Sequence, residues 1–221
     1  MAITLHPTGK TRIIVADAQE LVADGLRYRL ADAADLHIIA HVGTGKELLD
    51  LLKEKPADLV LLDVSLPGMD GIDTARMLRR KHPDVKVLAH SMLDGIEYVN
   101  SMFIEGASGY LLKNSAKADL LEAIRQVMDG ERYLSETVRR SVEKGYKFTK
   151  KRPEGEYIGL TEREREIIRM IAQERTNDEI ATALHVSTDT VKTHRKNLMT
   201  KLNVRSAAGP ARYALDRRWT R

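Results

Sequence analysis

The sequence predicts an α/β chain: a five-stranded parallel sheet, doubly wound as (βα)5, followed by a small all-α domain. Two observations predict it. Within residues 1–130, five short apolar runs alternate with five amphipathic stretches of helix length. Beyond residue 158 every apolar pattern has helical spacing.

The strands are read at Arg12–Ala16, His37–Val42, Asp58–Leu62, Val85–Ala89 and Gly109–Leu112. Each is short, rich in β-branched residues and Leu, and bounded by turn residues. The intervening helices are read at about 20–31, 45–55, 71–81, 94–106 and 116–129. Alternation of this kind places helices on both faces of a parallel sheet. Thr149-Lys-Lys-Arg-Pro-Glu-Gly-Glu156 is polar and broken by Pro153 and Gly155, so 131–158 reads as a connector and 159–221 as a second domain.

Composition narrows the class. The chain has 221 residues, 43% hydrophobic and 31% charged, as expected of a soluble globular protein. It has no cysteine, which excludes disulfides and thiolate chemistry and is compatible with a cytoplasmic location. No run approaches the roughly 20 apolar residues of a membrane span, and Met1-Ala-Ile-Thr-Leu-His-Pro lacks the layout of a secretory signal. Residues 150–221 hold 16 Lys and Arg against 10 Asp and Glu, whereas the rest hold 20 against 22. The basic tail suits a polyanion partner, or is ordinary surface charge.

In a parallel sheet the carboxyl ends of the strands form the site. Asp17 ends the first strand, Asp63 the third, Ser91 follows the fourth and Lys113 the fifth. Strand ends meet water, so any one of these is commonplace; four in this order are not. A carboxylate can attack phosphorus to give an acyl phosphate. A divalent cation held by oxygens would shield the phosphoryl group. A fixed ammonium such as Lys113 and a hydroxyl such as Ser91 would hold it.

Residues 11–130 resemble the receiver domain of response regulators, most strongly at Asp63 (D-x-x-L-P-G-M-D-G) and Lys113 (G-A-S-G-Y-L-L-K). The resemblance implies that Asp63 is the phosphoacceptor and that Asp17, Asp63 and the Ser65 carbonyl hold Mg²⁺. It implies Ser91 as the switch hydroxyl, Lys113 as the phosphate-binding cation and Tyr110 as the rotating aromatic. Drawing Ser91 toward the phosphoryl group would free space for Tyr110 to turn inward. Receivers usually carry two adjacent acids after the first strand, and here the pair is Asp17-Ala18. Losing a carboxylate weakens a Mg²⁺ site. Either Glu20 compensates, or the domain works with little or no phosphorylation.

Other motifs fail on spacing. Gly43-Thr-Gly-Lys-Glu47 resembles a phosphate-binding loop, but Ala40 and Glu47 stand where that motif needs Gly and Ser or Thr. Asp63-Val-Ser65 lacks the second acid of an aspartate-nucleophile phosphatase.

In the second domain, Thr161-Glu-Arg-Glu164 is a capping box, followed by an apolar stripe of Ile167, Ile168 and Ile171. Asn177 is expected to cap a second helix carrying Ile180, Ala181 and Leu184. A tight turn at His185-Val186 then leads to a third helix, capped by Ser187 or Thr188 and running to about Leu202. At 100° per residue, Val191, Leu198 and Leu202 share one side of that helix. Asp189, Lys192, Thr193, Lys196 and Thr200 share the other, with Arg195 on the flank. Two helices at a steep angle with the second exposed is the geometry that enters a major groove. The lysines would meet guanine edges or phosphates, and Thr193 would offer a methyl or a hydroxyl.

The run from Leu160 through Val204 resembles the LuxR-type helix-turn-helix almost without interruption. The resemblance implies Lys192, Thr193 and Lys196 as groove contacts, with His194 and Arg195 nearer phosphate. The family closes with a fourth helix that often pairs two domains on DNA. Here Gly209-Pro210 should break that helix or delay its start.

Together the two resemblances point to the NarL/FixJ family of response regulators. The implied protein is not a conventional enzyme. It would be a DNA-binding transcription factor and homodimer, controlled by a sensor histidine kinase through Asp63. The competing expectation, prompted by Ala18, is an atypical regulator whose receiver is a dimerisation or ligand-binding module needing no phosphorylation.

Overall fold

A computed structural model describes residues 9–140, 160–202, 204, 206–217 and 219. Residues 141–158 of the expected connector lie outside the described residues. The first domain has strands β1 (Thr11–Ala16), β2 (Leu36–Val42), β3 (Leu59–Leu62), β4 (Lys86–Ser91), β5 (Gly109–Leu112) and β6 (Tyr133–Leu134). Its helices are α1 (Glu20–Leu30), α2 (Gly45–Glu54), α3 (Gly71–Lys81), α4 (Ile96–Ile104) and α5 (Lys117–Met128). The sheet is parallel throughout, in the order β2-β1-β3-β4-β5-β6.

The five expected strands are joined by a sixth, which corrects the strand count. Tyr133–Leu134 lies in the stretch read as connector, and two residues are too few for a period-two pattern to register. Its pairing with Gly109 and Tyr110 extends the sheet beyond β5.

Alternation along each strand divides the core. Ile13, Val15, Leu59, Leu61, Leu88 and Leu111 face α1 and α5, meeting Leu26, Leu30, Leu120 and Ile124. Ile14, Ala16, Val60, Leu62, Ala89 and Tyr110 face α2, α3 and α4. The second apolar cluster continues without a break into the C-terminal helices.

Those helices are α6 (Glu162–Ala172), α7 (Asn177–Leu184), α8 (Thr188–Lys201) and α9 (Gly209–Asp216). Thr161 and Glu164 form the expected capping box. The cap of α7 is Thr176, boxed with Glu179, and not Asn177. A Thr with Glu three residues on satisfies two amide donors, whereas Asn177 offers only one half of that exchange. His185 ends α7 in the left-handed region at φ 53°, and Ser187 caps α8. Gly209-Pro210 delays the last helix without abolishing it. Pro210 lies in the first turn of α9, where its missing N–H has no partner to lose.

Two buried features of β3–β4 generate predictions. Gly71 opens α3 against the loop after β3, and a Cβ there would stand 2.0 Å from the Asp63 carbonyl oxygen. Gly71→Ala is expected to cost about 1–3 kcal/mol by overpacking, read from the urea midpoint of the full chain. His90, on β4, is 3% exposed and on the same side of the strand as Leu88. Burial, and then the charge of Lys113, push its imidazole down to about 4. The unfolded chain titrates near 6.5, so this stability is full above pH 6.5. It falls by about 3 kcal/mol as pH drops from 6.5 to 4. His90→Asn should remove that component; the same pH slope in both proteins would refute it.

Candidate functional site

Residues just past parallel strands share one edge. Main-chain bonds set the register there: Asp63 N–H donates to the Ala16 carbonyl at 2.9 Å, and Lys113 N–H to the Ser91 carbonyl at 2.9 Å. Lys113 Nζ lies 2.6 Å from Asp17 Oδ2 and 2.9 Å from Asp63 Oδ2. The carboxylates' other oxygens are engaged by turns. Asp17 Oδ1 accepts from Gln19 N–H at 2.9 Å, and Asp63 Oδ1 from Ser65 N–H at 3.2 Å. Both acids are buried. Two carboxylates against one ammonium leave a negative charge over, and buried charge is costly unless paired. The site therefore favours a second cation.

Hard oxygen donors suit Mg²⁺. The donor set fits, but with one carboxylate fewer. Ala18 supplies no oxygen, and Glu20 is exposed at the start of α1, where it does not replace the missing acid. Among the described residues no group of three or more His, Cys, Asp or Glu could hold a metal. What remains is Asp17, Asp63 and the main-chain oxygen of Ser65.

Ser91 is fully buried, and its Oγ accepts from Leu93 N–H at 3.2 Å. Tyr110 already lies inward, wholly buried, and donates its hydroxyl to the Leu93 carbonyl at 2.6 Å. A buried hydroxyl needs a partner, and the loop after β4 provides one with Ser91 in place. Burial pushes this phenol upward, so it remains a donor.

Sequence reasoning missed a second set of residues beside the site. The Ser65 hydroxyl donates to the Asp216 carbonyl at 2.8 Å. Tyr98, at the start of α4, donates to Asp216 Oδ2 at 2.6 Å. Asp70, which caps α3, accepts from Arg217 and Trp219. The signals available were the lone tryptophan and the arginine beside it, and neither pattern specifies a partner. His41 was also unforeseen: its Nε2 lies 2.8 Å from the Asp17 carbonyl oxygen.

On α8 the two faces separate as expected. Val191 and Leu198 are buried, as is Leu202 just beyond, while Asp189, Lys192, Thr193, Lys196 and Thr200 are exposed. Lys192 pairs with Asp189 at 2.9 Å, an exposed contact that costs little to break. Thr193 donates its hydroxyl to the Asp189 carbonyl at 2.9 Å. Arg195, half-buried like His194, is steadied by Asn177 Oδ1 at 3.0 Å. A cationic face thus stands open to solvent while the domain rests on the sheet domain.

Residues 13–125 match the response regulator receiver domain, and residues 159–214 match the bacterial regulatory proteins of the luxR family. The chain is 34% identical over 207 residues to the transcriptional regulatory protein MctR of Rhizobium johnstonii, covering 94% of each chain. It is 35% identical to the nitrate/nitrite response regulator protein NarP of Escherichia coli over 88% of this chain and 90% of that one. Among solved structures, promoter-bound RcsB from Salmonella enterica shares the fold at TM-score 0.71 and 24% identity, covering 94% of this chain and 98% of that one. A LuxR-family response regulator from Aurantimonas aligns at TM-score 0.59 and 28% identity, over 62% of this chain and 98% of that one. Full-length likeness to two-component transcription factors does not favour the atypical reading. No helix among the described residues is long and apolar enough to cross a membrane. With both sequence families matched and near-complete coverage of such relatives, this chain belongs to the NarL/FixJ family of two-component response regulators, which are DNA-binding regulators of transcription.

Proposed function

We propose that a sensor histidine kinase phosphorylates Asp63 of this cytoplasmic regulator, and that the phosphorylated chain binds its operator as a homodimer. A carboxylate oxygen of Asp63 attacks the phosphorus of a phosphohistidine. The P–O bond forms as the P–N bond breaks, and the imidazole leaves. Lys113 holds a charged phosphoryl oxygen, and the Ser91 hydroxyl donates to another. Asp17, Asp63 and the Ser65 carbonyl would hold Mg²⁺, which would supply shielding of the phosphoryl charge. The observation that carries this reading is Lys113 Nζ set 2.9 Å from Asp63 and 2.6 Å from Asp17 at one sheet edge. The protein accepts the phosphoryl group and turns over no substrate.

DNA recognition is assigned to α8. Lys192, Thr193 and Lys196 enter the groove, where the Thr193 methyl faces outward because its hydroxyl is committed to Asp189. His194 and Arg195 lie nearer phosphate.

Incubation with acetyl phosphate should add one phosphoryl group to the wild-type chain and none to Asp63→Asn, read by intact mass. The reaction should need more Mg²⁺ than a receiver with both acids, and Ala18→Asp should lower that requirement. No incorporation in the wild type at any Mg²⁺ concentration would refute the reading. Lys192→Ala should weaken operator binding by about 1–3 kcal/mol if it meets a base, or reduce the salt slope by about one if it meets phosphate. Unchanged affinity and slope would remove Lys192 from the interface.

A further inference from the structure

Strand β2 carries one residue too many for its partner. Ile13 of β1 pairs with Ile38 and Ile14 with Ala40, so Ile39 bulges between them. An inserted residue moves every later side chain to the opposite face of the sheet. Leu36 and Ile38 pack on the side of α1 and α5, whereas Ile39, Ala40 and Val42 all pack on the side of α2, α3 and α4. Alternation through Ala40 and Val42 therefore turns His41 to the α1 side, beside Val15, its partner in the ladder. Without the bulge His41 would face the other way. Lys55, the residue after α2, donates to the Ile39 carbonyl at 2.7 Å, so the oxygen at the bulge has a partner.

The re-aimed imidazole reaches the first loop of the site. His41 Nε2 lies 2.8 Å from the Asp17 carbonyl oxygen. A carbonyl only accepts, so Nε2 carries the proton and donates. This bond completes the hold on Asp17. Its N–H donates to the Val42 carbonyl at 3.0 Å, its Oδ1 accepts from Gln19 N–H at 2.9 Å, and its Oδ2 meets Lys113 at 2.6 Å. The next residue is Ala18, which has no polar group to anchor the loop. Two N–H donors, one from β2 and one from the loop itself, thus fix the peptide plane and the carboxylate of the loop's single acid.

We propose that His41, aimed by the bulge at Ile39, is a positioning residue that holds Asp17 in place for a divalent cation. The proposal rests on the phosphorylation reading given above. A site with one carboxylate fewer depends more on each that remains, because affinity follows ligand charge and site rigidity. An acid held before the cation arrives loses less freedom when the cation binds. Groups that orient a metal ligand from outside contribute roughly 10- to 100-fold in metal affinity. His41 holds the main chain of Asp17 and not its carboxylate, which places its share at the low end of that range, about tenfold.

Two substitutions separate the donor from the ring. His41→Phe keeps a flat ring and loses the N–H, whereas His41→Gln keeps an N–H within reach of the same carbonyl. Mg²⁺ is titrated into the unphosphorylated full-length chain by calorimetry, and the half-saturating Mg²⁺ for phosphoryl uptake from acetyl phosphate is read by intact mass. His41→Phe should raise both values about tenfold, with a smaller fall in the rate at saturating Mg²⁺. His41→Gln should return both to within about twofold of the wild type. Lys55→Met removes the partner of the bulge carbonyl and leaves His41 in the chain, so it should shift both in the same direction by less. Wild-type Mg²⁺ affinity in His41→Phe overturns the positioning role and leaves the phosphorylation reading intact. Equal losses in His41→Phe and His41→Gln overturn it as well, since ring packing and not the N–H then carries the effect. No calorimetric Mg²⁺ binding in the wild type also overturns the role of His41. Absence of phosphoryl uptake by the wild type overturns the phosphorylation reading, while the calorimetric comparison still decides the role of His41.

Discussion

The ammonium of Lys113 between the carboxylates of Asp17 and Asp63 is the contact on which the rest of the molecule depends. Three residues from separate strands, up to 96 positions apart in sequence, reach one point only because the sheet is parallel and its strands end in register. An apolar side chain at Lys113 would leave two buried carboxylates with no cation between them. Buried charge of that kind is among the few features whose loss costs several kcal/mol. The helices fix the sheet, the sheet fixes the edge, and the edge fixes the charge balance.

That balance is asymmetric. Two acids face one base, and Ala18 withholds the third acid that would enlarge the deficit and strengthen a metal site. The result is a pocket with one negative charge left over, which calls for a cation less strongly than three acids would. A transferred phosphoryl group would bring about −1.5 to −2 charges into contact with that lysine, deepening the negative balance. The loops after β3 and β4 are the parts free to respond, because they are held by single hydrogen bonds to Ser65, Ser91 and Tyr110 rather than by the sheet.

Much of this was legible in the sequence, and for definite reasons. Short apolar runs such as Arg12–Ala16 and the 3.6-residue stripes of α2 and α8 are local signals, and strand ends follow from them; that placed Asp17, Asp63, Ser91 and Lys113 at one edge from sequence. The split of α8 into a buried Val191–Leu198 face and an exposed Lys192–Lys196 face is likewise a matter of angle alone. The exceptions were contacts with no local signature. A two-residue strand has no period. The cap at Thr176 competed with an equally plausible Asn177 one position later. The inward position of Tyr110 depends on a carbonyl 17 residues away. The grip on Asp216 and Arg217 depends on residues more than 110 positions distant.

Those distant contacts give polar direction to a seam that the apolar cluster also crosses. Burial of apolar surface is indifferent to direction, so that part of the seam gives adhesion without orientation. Here the stacked Tyr98 and Tyr213 supply adhesion, but orientation comes from Asp70, Asp73, Asp216, Arg165 and Arg217. Charged hydrogen bonds are directional and fail together when one loop shifts. Gly209-Pro210 contributes at the other end: by delaying α9, it sets the helix start so that Tyr213 meets Tyr98 and the next turn delivers Asp216 to Ser65. The same eight-residue helix therefore has one end fixed by proline geometry and the other by the loop after β3, through Ser65. The C-terminal segment is thereby tied to the sheet edge without sharing a strand with it.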